Sequence, residues 1–146
     1  YDVAGLVERL RGIFGTDTVS DVVVVGVGSL GRALLGHEGF FRKGFRLAAA
    51  FDSAPEKVGR KFADVTVAPM KDVVDAIHER HIRLAVLTVP ADAAQTVAEM
   101  LVAAGIRGIL NFAPVRLSVP DHVAVVPVDL AVQMEQLSYF VTAMAR

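Results

Sequence analysis

The residues best suited to chemistry are the glycines of Gly26-Val27-Gly28-Ser29-Leu30-Gly31, set between the apolar run Val22–Val25 and Arg32-Ala33-Leu34-Leu35. A Gly-x-Gly-x-x-Gly between a strand and a helix binds the pyrophosphate of a dinucleotide. Its first glycine permits a tight turn, its second lets backbone approach the phosphates, and its third lets the helix sit close to the strand. N–H groups at the helix start then point at the phosphates, aided by the helix dipole. Asp52 ends a second apolar run, Phe45–Phe51, 21 positions after Gly31. A carboxylate there accepts the hydroxyls of the adenosine ribose and repels a 2′-phosphate, which favours NAD(H) over NADP(H). Lys57 and Arg60 stand near enough in sequence to weigh the other way. The bland alternatives are a glycine turn used only for packing and an Asp52 that only caps a turn.

Ligands of open α/β sheets bind beyond the carboxyl ends of the strands. Two further strand ends are therefore candidates: Thr88-Val89-Pro90 and Asn111-Phe112-Ala113-Pro114. Their backbone groups and Phe112 are expected to wall the nicotinamide half of a cofactor, with loops merely shaped by proline as the alternative. No acid/base apparatus for turnover stands out. His78 and His81 flank the end of a polar helix, His122 lies in a Pro120-Asp121 turn, and His37 sits at the far end of the fingerprint helix. No histidine and acid spacing suggests a metal site, so neither catalytic nor metal-binding residues are expected.

The elements that would position these groups alternate regularly. Val22–Val25 reads as a strand covered on both faces, as in a parallel sheet. A helix follows from about Ser29 to Leu35, then a loop over His37–Gly44 and a strand over Phe45–Phe51. After a turn at Ser53–Arg60 come a short strand at Val65–Val67 and an amphipathic helix over Lys71–Arg80, with Val73, Val74 and Ile77 facing inward. Strands at Leu84–Thr88, Gly108–Asn111 and Val123–Val128 follow, the first two separated by a helix from Pro90 to Ala104 that Gly105 closes. Short strands alternating with helices predict an α/β fold: a Rossmann-like, doubly wound, mainly parallel sheet. The expected division is an N-terminal helix (Val3–Phe14) and connector over 1–20, the nucleotide domain over 21–128, and a C-terminal helix over 129–146. That last helix, from Leu130 to Ala145, is apolar almost all round towards its end, more than one face of a monomer covers. Exchange between subunits is the expectation; docking on its own sheet is the alternative.

Composition excludes several classes. Fifteen basic and sixteen acidic residues are well mixed, giving a net charge of −1, which argues against this segment alone binding nucleic acid. With no cysteine there is no disulfide framework and no thiol nucleophile. Apolar residues make up 53%, but their runs are broken by Gly, Pro or charge, so no membrane span is expected. Charges at Asp2, Glu8, Arg9, Arg11 and Asp17 do not suit a secretory leader, and a cytoplasmic location is expected.

Gly26–Leu34, Phe51–Gly59, Val89–Gln95, Gly108–Val115, Val128-Asp129-Leu130 and Leu137-Ser138-Tyr139 together resemble the Rex family of redox-sensing transcriptional repressors. The resemblance implies NADH and NAD+ as ligands, a homodimer through a swapped C-terminal helix, and operator DNA bound by an N-terminal winged-helix domain not present in this chain. It implies a sensor role for Asp129, with Leu130 beside it at the nicotinamide. Two departures stand out: His37 where relatives often carry Tyr, and Leu130 where some carry Phe. The competing readings are the cofactor domain of an NAD-dependent oxidoreductase and a coenzyme A-binding domain. Coenzyme A carries a 3′-phosphate that the Asp52 carboxylate would repel.

Overall fold

The computed structural model describes residues 19–144; the helix expected over Val3–Phe14 lies outside them. The chain runs through β1 (Ser20–Val25), α1 (Ser29–Leu35), α2 (Gly39–Arg42), β2 (Phe45–Asp52), β3 (Lys61–Phe62) and β4 (Val65–Pro69). A 3₁₀ turn at Met70–Asp72 leads into α3 (Val73–Arg80), followed by β5 (Leu84–Leu87), α4 (Ala91–Ala104), β6 (Gly108–Asn111), β7 (Ala124–Pro127) and α5 (Leu130–Met144).

The seven strands form one sheet in the order β3-β4-β2-β1-β5-β6-β7. Every pairing is parallel except β3 with β4. The sheet therefore grows one way from β1 through β2 and β4, and the other way through β5, β6 and β7. Between β1 and β5 lies the topological switch point, where a ligand crevice opens beyond the strand ends.

The valine run shows why this strand is central. Val24 lies opposite Ala50 on one side and Val86 on the other. Residues Val22 to Val25 are each no more than 1% exposed. Alternation sends Val23 and Val25 into a cluster with Val73, Ile77, Ala98 and Leu101, while Val22 and Val24 join Leu34, Phe40, Phe45 and Leu110. Helices thus cover both faces, and each fully buried Val contributes roughly 1.5–3 kcal/mol of apolar transfer.

Two local features depart from the sequence reading. The stretch His37–Gly44, expected as a loop, contains the helical turn α2. His37 Nδ1 accepts the Gly39 N–H at 2.9 Å, and Phe40, 1% exposed, anchors the turn in the core. The two-residue strand β3 has no counterpart among the expected elements, being too short to carry a periodic pattern. Helix α5 buries none of its residues, in line with a helix that a monomer does not cover. Leu137, Tyr139, Phe140 and Met144 are 55%, 78%, 61% and 69% exposed, so the alternative in which this helix docks on its own sheet is not what forms. Among the described residues no helix is long and apolar enough to cross a membrane.

Candidate nucleotide site

The three glycines of the fingerprint divide into two kinds. Gly26 has φ +96°, in the left-handed region, and a Cβ there would lie 2.8 Å from the carbonyl carbon and oxygen of Thr88. At Gly31 a Cβ would collide with the Gly26 carbonyl oxygen. Both positions require glycine for close packing. Gly28 differs: it is extended (φ −83°, ψ −159°), and the nearest atom to a Cβ there is Lys57 Nζ at 4.0 Å. The second glycine leaves open space where the first and third fill it. Gly28 also caps α1, so the first N–H groups of that helix, from Ser29 and Leu30, have no intrahelical acceptor.

Asp52 closes one side of this space. Its Oδ2 accepts the Val27 N–H at 2.7 Å and its Oδ1 accepts the Ala54 N–H at 2.8 Å. The carboxylate therefore does cap a turn, and it also ties β2 to the glycine turn. A carboxylate offers about four acceptor sites, so two remain open. Lys57 Nζ stands 3.9 Å from Oδ2, which puts a cation between the carboxylate and the open face of Gly28. The Phe51 side chain is buried in the core, and only its backbone reaches the turn, its carbonyl accepting the Gly26 N–H at 2.8 Å. Val27 likewise buries its side chain and offers backbone.

Thr88 supports the turn from the other side of the switch point. Its N–H donates to the Val25 carbonyl at 2.9 Å, and its hydroxyl donates to the Gly26 carbonyl at 2.5 Å. Val89 is half-buried and Pro90 exposed, leading into α4.

Asn111 is 2% exposed, and its amide serves its own loop. Nδ2 donates to the Val115 carbonyl at 3.0 Å and Oδ1 accepts the Ala113 N–H at 3.0 Å. Asn111 thus shapes its own loop rather than presenting its amide to a ligand. Phe112 is half-buried, and its N–H donates to the Leu87 carbonyl at 2.9 Å. Phe112 packs against the cluster of Val24 and Leu110, while a cleft of about 600 Å³ opens at the ends of β6 and β7, lined by Asn111, Ala113, Pro114, Val128 and Asp129 among others. Asp129 Oδ1 accepts the Val132 N–H at 3.1 Å, making it the N-cap of α5. Leu130, the first residue of that helix, is 45% exposed.

Sequence reasoning missed one cluster next to this site. The Arg32 and Arg60 guanidiniums lie 5.6 and 5.3 Å from the centre of the Phe62 ring. Phe62 belongs to β3, whose brevity hid it, so nothing in the spacing pointed to the pair. The four histidines are all exposed, and among the described residues no group of His, Cys, Asp or Glu is placed to hold a metal ion.

Comparison with known proteins places this geometry. Residues 17–115 match the family model described as "CoA binding domain". A redox-sensing transcriptional repressor Rex of Rhodopirellula baltica is 45% identical over 139 residues, covering 95% of this chain and 59% of that protein. Its counterpart in Limosilactobacillus reuteri is 43% identical, covering 97% of this chain and 66% of that protein. The crystal structure of RSP in complex with β-NADH superposes with a TM-score of 0.85 at 36% identity, covering 99% of this chain and 70% of that one. The chain belongs to the Rex family. RSP is also known in complex with β-NAD+ and operator DNA, with a TM-score of 0.84. The Rex relatives in the curated set extend well beyond this chain, which spans 59–66% of the two named here. Their similarity reaches past the 17–115 match to α5, so the Rex likeness includes the exposed helix as well as the nucleotide turn.

Proposed function

We propose that this Rex-family chain is the NAD(H)-sensing and dimerisation part of a transcriptional repressor, in which NADH binding releases operator DNA and NAD+ permits its binding. The single observation that carries this is the open face of Gly28, flanked by the Asp52 carboxylate and the Lys57 ammonium at the switch point. Pyrophosphate fits against the Gly28 backbone, with Lys57 balancing its charge and Asp52 holding the ribose diol. The nicotinamide half extends past Thr88 to the Asn111–Pro114 wall and the cleft that ends at Asp129.

A switch needs a ligand that binds two states differently, and it shifts them by the difference in binding free energy. The nicotinamide ring is cationic in NAD+ and neutral in NADH. Asp129 is an anion at the N-cap of α5, so ring charge and helix placement meet at one carboxylate. The exposed apolar surface of α5 supports a homodimer in which each helix inserts into the other subunit. A 15-residue helix that buries none of its residues is marginal in water, and partner burial supplies what the monomer lacks. In the division we propose, residues 1–20 connect to the DNA-binding part, 21–128 hold the cofactor, and 129–146 join the subunits, with the whole acting in the cytoplasm.

Coenzyme A is the second reading, favoured by the description of the matching family model. Against it stands Asp52, whose charge opposes a phosphate on the adenosine ribose. The test uses the full-length protein bound to a labelled operator duplex. NADH should dissociate the complex and NAD+ should not; release by coenzyme A but not by NADH would overturn the proposal.

A further inference from the structure

The segment from Phe112 to Val123 joins β6 to β7 without helix or strand, yet it is tied down at two places. Asn111 closes the first turn. Farther along, Gln95 of α4 reaches across to Ser118. Its Oε1 accepts the Ser118 N–H at 2.9 Å and its Nε2 donates to the Ser118 carbonyl at 2.9 Å. The side-chain amide pairs with this backbone unit as a neighbouring strand would. Glu99, one helical turn on, accepts the second Nε2 hydrogen at 3.0 Å. A carboxylate only accepts, so Glu99 decides which way the amide faces and keeps its oxygen towards the Ser118 N–H.

Ser118 lies between Leu117 and Val119, and both line the cleft that also contains Ala113, Pro114 and Asp129. We infer that Gln95 is a positioning residue for the nicotinamide half of the cofactor: by clamping Ser118 it holds the far wall of that cleft in its binding conformation. This rests on the dinucleotide reading above. A wall that samples other positions lowers the apparent affinity by the fraction of time it is competent. The adenosine half, seated at Gly28, Asp52 and Lys57, does not meet this wall and does not feel its motion. A residue needed only for folding would weaken both halves alike.

The test compares NADH with ADP, which has the adenosine half alone, on the wild-type chain and on Gln95→Leu and Gln95→Glu. Leu removes both bonds to Ser118; Glu sets a carboxylate against the Ser118 carbonyl and Glu99. For both variants NADH should bind roughly 5- to 20-fold more weakly, while ADP affinity stays within about twofold of wild type. Unchanged NADH affinity in both variants, with the wild type binding NADH normally, overturns the role of Gln95. So does an equal loss for NADH and ADP. A wild-type chain that binds ADP but gains nothing from the nicotinamide overturns the dinucleotide reading itself.

Discussion

The carbonyl of Gly26 accepts the hydroxyl of Thr88 at 2.5 Å, although the two residues are 62 positions apart and leave different strands. That bond closes the switch point: it joins the turn after β1 to the end of β5, at the place where the sheet changes direction. Thr88→Val keeps the shape and removes the donor. It should destabilise the chain by about 1–3 kcal/mol, the cost of leaving a buried acceptor unpaired, with Thr88→Ser retaining most of the wild-type stability. Denaturant unfolding measures both.

The glycines should separate stability from binding. Gly31→Ala puts a methyl group against the Gly26 carbonyl, and overpacking of this kind costs roughly 1–3 kcal/mol. Gly28→Ala meets nothing nearer than Lys57 Nζ at 4.0 Å, so only the weaker helix cap counts against it and its stability should stay within about 1 kcal/mol of wild type. The same methyl occupies the phosphate approach, and NADH affinity should drop about tenfold or more. A Gly28→Ala chain that binds NADH normally would place the pyrophosphate elsewhere.

Much of this was legible in the chain itself. Val22–Val25, the glycine spacing and Asp52 are strong signals because each answers to one geometry: a doubly covered strand, a phosphate turn, a strand-end carboxylate. The two-residue strand β3 and its Arg32–Phe62–Arg60 stack were not legible, since so short a strand has no period. Asn111 was legible as a strand end, but its amide binds its own loop, a choice made by the backbone path and not by residue type. The helical turn α2 depends on one imidazole bond and one buried phenylalanine, a tertiary effect that glycine-rich composition masks.

Asp52 carries both structure and selectivity. Asp52→Ala leaves the Val27 and Ala54 N–H groups without their acceptor, costing about 1–3 kcal/mol. Asp52→Asn keeps the size but removes the charge, and the preference for NADH over NADPH should narrow by about tenfold, one unit of charge repulsion at a partly screened site. Parallel titrations with the two nucleotides read this directly.

The apolar surface of α5 predicts the assembly. Leu137→Glu together with Phe140→Glu alters residues already 55% and 61% exposed in the single chain, so the subunit fold should survive. The variant should sediment as a monomer. Wild-type Tm should rise with protein concentration, as linkage to a dimer requires, while that of the variant should not. Equal sedimentation of the two would remove α5 from the interface.

We propose the Gly26–Gly31 turn with Asp52 as a site for NAD(H) that distinguishes its redox states. Competition titration of the purified chain with NADH, NAD+ and coenzyme A tests it most directly. One saturable site per chain is expected, at which NADH binds more tightly than NAD+ and coenzyme A competes with neither. Coenzyme A binding more tightly than both, or NADH and NAD+ binding equally, would contradict it.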